Sequence, residues 1–422
     1  MTRATPAWLV AAVLVTFPGS GCGDGSNASS AAALDRSLAL VRAEALRAHV
    51  EVLASDAMEG RRPGSAGHDR ARDYIARALG ERRIARAGDG GTSYLHEYPT
   101  APQPEYLFPY PNGYNVVGIH PGTTAPAEMV VVSAHYDHLG HDRGGRIMNG
   151  AYDDAAGVAA LLELASAFRE AGYRARRSVV FLFSDEEETP GDGALRWIQA
   201  PTVNETRDIV FGISVDPIGR PNFPGYAWTA LFGLEHSPAL EALVRPRLAG
   251  FGANPVIAGD RSVIPYFEND QDRFFDAGIP AVWFMTPGFS FYHQSTDDPE
   301  TVDYGVVLDA TSVLARLVDV VANDDQRYPF VAETGVTPAT LLPYRQVFQR
   351  FAAASDVLSP LEIGIARNVV TQLDRVEARG FVDPEEAEPL SLEATGLIFL
   401  TSVLHPGEVP VPFPAGATAA RR

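Results

Sequence analysis

The chain has 422 residues, 46% of them hydrophobic, enough for one large domain with or without an accessory segment. Its formal net charge is −19 and its basic residues are scattered, which excludes the concentrated positive surface that a nucleic-acid partner requires. Cys22 is the single cysteine, so no internal disulfide can form.

Taken in order, Arg3 precedes a mostly apolar stretch at 7–17, and small residues then lead to Cys22. This is the pattern of an export signal, and the stretch falls short of the ~20 residues a permanent membrane span needs. Cys22 stands where a bacterial lipoprotein signal places its lipidated residue, although Gly19 occupies the position where such signals usually carry leucine. The expectation is therefore a signal over 1–22 and a flexible Gly/Ser/Asn-rich tether over 23–33. The protein is expected in the bacterial cell envelope, lipid-anchored at Cys22 or periplasmic, or secreted.

Apolar spacing predicts a helix over 34–54, a turn-rich loop at 60–67 (GRRPGSAG), a helix from His68 to Leu79, and a strand approach over 83–97. Short β-branched or apolar runs at 115–119, 129–133, 178–184, 209–215 and 281–285 read as strands. Helical stretches at 158–169, 235–249 and 302–322 alternate with them. Such alternation predicts an α/β domain over 34–323, with a mixed, largely parallel central sheet flanked by helices. Ligands then bind at the carboxyl ends of the strands. Residues 324–422 carry helical stretches at 343–354, 360–379 and 390–404 and no catalytic constellation, which predicts a helical C-terminal extension acting as a cap or packing appendage.

The chemistry gathers at strand ends. His135 directly follows a buried strand, and Asp137 shares its direction if the strand continues, as a carboxylate fixing an imidazole tautomer would. His138 is the alternative ligand at this strand end, but the same parity puts it on the opposite face. Asp153 and Asp154 precede a helix, where capping accounts for one of them. Asp185, Glu186, Glu187 and Glu188 close an apolar strand, and four successive carboxylates repel one another unless a cation or solvent separates them. Asp216 ends another strand, and His293 precedes an acidic turn. Two histidines and three carboxylates form a borderline-hard donor set suited to Zn²⁺, with Co²⁺ or Mn²⁺ as substitutes, whereas calcium prefers an all-oxygen site.

In combination, the motifs 134–137 (AHYD), 150–153 (GAYD), 185–188 (DEEE), 215–219 (VDPIG) and 292–293 (YH) resemble the co-catalytic zinc aminopeptidase family. That family includes bacterial leucyl aminopeptidases, aminopeptidase S and relatives of glutamate carboxypeptidase II. The resemblance covers about 34–322, including LASDAMEGRRPGSAG at 53–67. It implies a zinc-exopeptidase fold and hydrolysis of the N-terminal residue of peptides by two zinc ions. His135 and Asp216 would hold one ion, Glu188 and His293 the other, and Asp153 would bridge them. Glu187 would be the general base and Tyr266 would polarise the scissile carbonyl. The register 187/188, rather than 186/187, follows from the strand offset and from Gly193 falling on the family's downstream glycine.

Three departures stand against the family pattern: Tyr152 before the bridging aspartate, Asn269-Asp270-Gln271 in place of Ser-Asp-His, and the 190–193 stretch (PGDG) after the glutamates. Asp185 and Glu186 stand where an amine-binding carboxylate or a plain acidic turn would fit equally. The competing readings are a one-zinc glutaminyl cyclase-like acyltransferase and a non-catalytic binding protein on the same fold. Substrate preference and oligomeric state are not legible.

Overall fold

The computed structural model describes residues 26–100, 110–189, 192–249, 254–259, 269–332 and 334–404. The signal segment with Cys22, and Tyr266, lie outside these residues. Three helices open the described chain: α1 (Ser26–Leu40), α2 (Ala43–Leu53) and α3 (Ala66–Glu81). Strands β1 (Ala85–Arg86), β2 (Leu95–Pro99), β3 (Asn112–His120) and β4 (Ala125–His135) follow, and then a small hairpin of β5 (Gly140–His141) and β6 (Ile147–Met148). The centre of the chain runs α4 (Ala156–Glu170), β7 (Arg177–Ser184), α5 (Gly193–Gln199), β8 (Ile209–Val215), β9 (Thr229–Phe232), α6 (Pro238–Leu248) and β10 (Pro255–Ala258). It continues with α7 (Asp270–Asp276), β11 (Ala281–Met285) and α8 (Tyr304–Asn323). It closes with α9 (Pro338–Leu341), α10 (Tyr344–Ala353), α11 (Pro360–Arg379) and α12 (Pro384–Leu404).

Nine strands form one sheet in the order β1-β3-β7-β4-β8-β11-β9-β10, with β2 also paired to β3. The central four, β7, β4, β8 and β11, are mutually parallel, whereas β3 and β9 join them antiparallel. Burial on both faces explains why β7 and β8 read as unbroken apolar runs rather than alternating ones. Register pairs His135 with Ser184 and Phe284 with Val215, so the chain leaves β4, β7, β8 and β11 along one edge. One face is covered by α1–α4, α6 and α8. Within that layer α4 is rich in alanine and buried from Ala156 to Phe168, because it lies between the sheet and α2 and α8. The opposite face is sealed by α5 and α7 through Trp197, Ile198 and Phe274.

The expected elements recur with physical differences. The tether expected over 23–33 gives way to α1 at Ser26, and Ala33 and Leu34 are already buried against the core, so apolar contact overrides the Gly/Ser composition. The helix expected over 34–54 breaks between α1 and α2. The one over 235–249 starts properly only at Pro238, a residue suited to a first turn because it has no N–H to satisfy. Strands β9 and β10, four residues each, are too short to stand out by periodicity. The segment after α8 does not keep a separate core: Leu341, Phe348, Phe351, Val369, Leu390 and Leu397 share one with Trp228, Phe232, Trp283 and Met285 of the sheet edge.

The loop at 60–67 depends on close backbone approach. A β-carbon on Gly67, at the start of α3, would lie 1.8 Å from Met58 O, and backbone cannot yield as a side chain does. Gly67→Ala should lower unfolding free energy by about 1–3 kcal/mol or more, read by chemical denaturation.

Candidate metal centre

At the carboxyl edge of β4, β7, β8 and β11, the side chains of His135, Asp153, Glu188, Asp216 and His293 converge. His135 Nε2 lies 3.1 Å from Asp153 Oδ1 and 3.4 Å from Asp216 Oδ1. His293 Nε2 lies 3.1 Å from Asp153 Oδ2 and 3.1 Å from Glu188 Oε2. The two oxygens of Asp153 therefore face two different clusters. His135, Asp153 and Glu188 lie close enough to hold one ion, as do His135, Asp154 and Asp216. Asp153 Oδ2 and Asp216 Oδ1 are buried without a hydrogen bond. Buried carboxylate oxygens without donors, facing imidazoles, fit divalent cations of the zinc type.

The capping role falls to Asp154, whose Oδ1 accepts from Gly157 N at 3.1 Å, and this leaves Asp153 free to face the cluster. Gly150 permits the tight turn before it. Its φ is +59°, and a β-carbon there would sit 2.4 Å from Asp153 O. His135 Nδ1 donates to the Asp137 carbonyl at 3.2 Å, and the Asp137 carboxylate lies 3.6 Å from the same nitrogen. That carboxylate also accepts Glu187 N at 3.1 Å and Glu188 N at 3.2 Å. The carboxylate thus ties the end of β4 to the turn that carries both glutamates. Glu187 points into a cleft of about 520 Å³ lined also by Glu188, Thr189, Asp192, Asp270 and Arg273.

Three residues not singled out from the sequence build the support. Arg61 is buried and donates to the carbonyls of Leu53, Tyr136, Asn149 and Gly150 at 2.6–2.9 Å, which joins the loops bearing His135 and Asp153. Asp297 accepts the amides of Tyr152 and Asp153 at 3.0–3.2 Å, and Arg220 faces it at 3.4 Å. His138 was placed on the opposite face, but β4 ends at His135 and the chain turns. His138 Nδ1 therefore lies 2.7 Å from Glu188 Oε1 and 3.8 Å from Asp153 Oδ2. Strand parity no longer holds three residues past the end of β4, so it could not place His138.

Asp185 and Glu186 do not reach the cleft lining. Asp185 is buried, with His68 Nε2 at 2.7 Å and Tyr114 N at 2.9 Å on its oxygens. Burial drives the Glu186 carboxyl up to about 7, and the neighbouring Asp185 charge adds to this. Among the departures, Tyr152 is structural: its hydroxyl donates to Thr286 O at 2.5 Å and accepts from Gly288 N. Asp270 receives the Ser184 hydroxyl at 2.5 Å, and Asn269 caps α7.

Charge crowding is the dominant electrostatic fact. Burial pushes Glu187 well above the usual carboxylate range; the His135 charge opposes this, while Asp216, Glu188 and Asp270 reinforce it. Burial pulls the His293 imidazole down, but its close contacts with the Asp153 and Glu188 carboxylates win and raise it to about 10. Tyr292 stacks on His293 with ring centroids 3.9 Å apart. Its phenol is held well above its ordinary value by burial and then by the charges of Asp153, Asp216, Glu188 and Glu187. Asp137→Ala should weaken zinc affinity about 10–100-fold in competition with a chromogenic chelator, because the glutamate turn loses its tie to β4.

Residues 115–318 match the model of peptidase family M28. Leupeptin-inactivating enzyme 1 of Streptomyces exfoliatus is 25% identical over 254 residues, 60% of this chain and 51% of that protein. The chain thus spans about half the length of the curated relative it matches. A Zn-dependent exopeptidase from Parabacteroides distasonis ATCC 8503 superposes with a TM-score of 0.52 at 21% identity, over 66% of this chain and 98% of that one. A glutaminyl cyclase from Porphyromonas gingivalis does so with a TM-score of 0.52 at 18% identity, over 66% and 98%. At these identities both structures speak for the fold. Sequence match and architecture agree: residues 115–318 are similar to peptidase family M28, and the described residues adopt the fold of the zinc-dependent exopeptidase structure.

Proposed function

We propose that this protein is a two-zinc exopeptidase that removes the N-terminal residue of peptides. The observation that carries the reading is the split of Asp153 between the His135 side and the His293 side, each at 3.1 Å. His135 and Asp216 would hold one zinc, Glu188 and His293 the other, with Asp153 between them. Bound zinc would supply Lewis acidity toward the scissile carbonyl and the attacking water. Glu187 lines the cleft, takes the proton from that water and passes it to the leaving amine. The family resemblance gives the polarising of the scissile carbonyl, and with it the hydrogen bond to the developing oxyanion, to Tyr266. The acidic lining of the cleft suits a substrate ammonium. Nothing in this reading sets the preferred side chain.

The cyclase reading shares the fold but would use one zinc, and so would leave one side of Asp153 without purpose. Metal content and activity separate the readings. The wild type should hold about two zinc ions per chain and cleave aminoacyl-p-nitroanilides. Glu187→Gln should lose about 10²–10⁴-fold in kcat with zinc content unchanged. One zinc per chain together with cyclisation of N-terminal glutamine would replace the peptidase reading. A binding-only protein would hydrolyse nothing in either form.

The apolar stretch at 7–17 and Cys22 support export to the cell envelope with a lipid anchor. Cys22→Ser should move the protein from the membrane fraction to the soluble periplasmic or secreted fraction. A wild-type protein already soluble there would remove the anchor from the reading.

A further inference from the structure

The family match ends at residue 318, yet the chain continues, and α12 reaches back to the edge that carries the site. Three contacts build this docking. Asn222 is buried on the segment after Asp216, and its Nδ2 donates to Pro287 O at 2.8 Å and to Ile398 O at 3.0 Å. One amide therefore joins the Asp216 arm, the arm leading to His293, and α12. Ser290 Oγ donates to Ser402 O. The rings of Phe289 and Phe399 lie 5.5 Å apart.

From Phe289 the contact passes inward. Its ring meets Tyr292 edge-on at 5.9 Å, and Tyr292 stacks on His293. His293 needs such backing. It lies beyond the end of β11 with φ at +55°, in the left-handed region, and its side chain is 39% exposed. His135, by contrast, ends a buried central strand and is 1% exposed.

We propose that α12 is a positioning element for His293: it holds the arm 286–293 through Asn222, Ser290 and Phe289 and so fixes the imidazole against Asp153 and Glu188. The consequence for zinc rests on the two-zinc reading, whereas the docking itself does not require metal. The segment outside the family match is then part of the catalytic architecture. Because Phe399 is 42% exposed, it can be altered without opening the core.

The test uses Phe399→Ala and Asn222→Ala in the full chain, with Phe399→Leu as the conservative rescue. In metal-free protein, hydrogen–deuterium exchange of amides 288–298 should accelerate about tenfold in both alanine variants while β4 and β7 stay protected. Phe399→Leu should restore protection. In zinc titrations, the binding step that His293→Ala abolishes should weaken about 10–100-fold in the same variants while the other step holds, and kcat should fall with KM little changed. Unchanged exchange at 288–298 in both variants, or acceleration shared equally by β4 and β7, would overturn the proposal. A wild type with a single zinc step would instead remove the two-zinc reading, and the exchange measurement would still decide the role of α12.

Discussion

Like charge at close range, in a place water does not reach, is the constraint on which this site depends. Asp137, Asp153, Asp154 and Asp216 are buried at one end of a sheet that is apolar on both faces, and Glu187 and Glu188 close over them. Left alone, such a set would protonate or push the strand ends apart. The fold removes part of the repulsion locally. Asp137 is occupied by two amide donors, and Asp154 by the N-terminus of α4, where the helix dipole favours negative charge. What remains are oxygens of Asp153, Asp154 and Asp216 with no donor, those of Asp153 and Asp216 directed at histidines, and that residual charge is the part a bound zinc-type cation would neutralise.

Two buried guanidiniums carry the mechanical side of the same problem. Burial works against the charge on Arg61, and Asp153, Asp137, Asp297 and Asp154 favour it in return. All three of its nitrogens donate to backbone carbonyls of separate segments, which only the planar fork of arginine can reach together. Arg220 lies over the Phe291 ring at 4.1 Å and faces Asp297, whose own carboxylate holds the amides next to Asp153. The charges needed for chemistry are thus tied into the charges that locate the loops. A substitution at Arg61 or Asp297 would move the loops that carry His135 and Asp153.

Much of this arrangement is legible in the order of the amino acids. Strong apolar runs mark β7, β8 and β11, and acid or histidine residues directly after such runs mark the site, because chain leaving a buried strand in a covered parallel sheet emerges at one edge. The unread parts are those where a residue acts at a distance in sequence. Arg61 sits in a stretch legible only as a turn, and its partners span Leu53 to Gly150. His138 follows a strand by a few residues, where period-two parity no longer holds. The composition of 23–33 looks like a linker, yet tertiary contact draws Ala33 into the core. Tyr266 and Cys22 lie beyond the described residues, and their parts rest on the family resemblance and on the signal pattern.

The sequence by itself determined the α/β architecture, the placing of His135, Asp153, the acidic run 185–188, Asp216 and His293 after apolar runs, and the type of cation such donors suit. These follow from hydrophobic period and donor chemistry, which are local. Tertiary structure alone decided which oxygen of Asp153 faces which histidine, that the Asp137 carboxylate holds the glutamate turn while facing the imidazole, and that α12 packs against the arm leading to His293. Each of these depends on packing between segments a hundred or more residues apart or on the direction of chain after a strand ends, and neither leaves a periodic trace in the sequence.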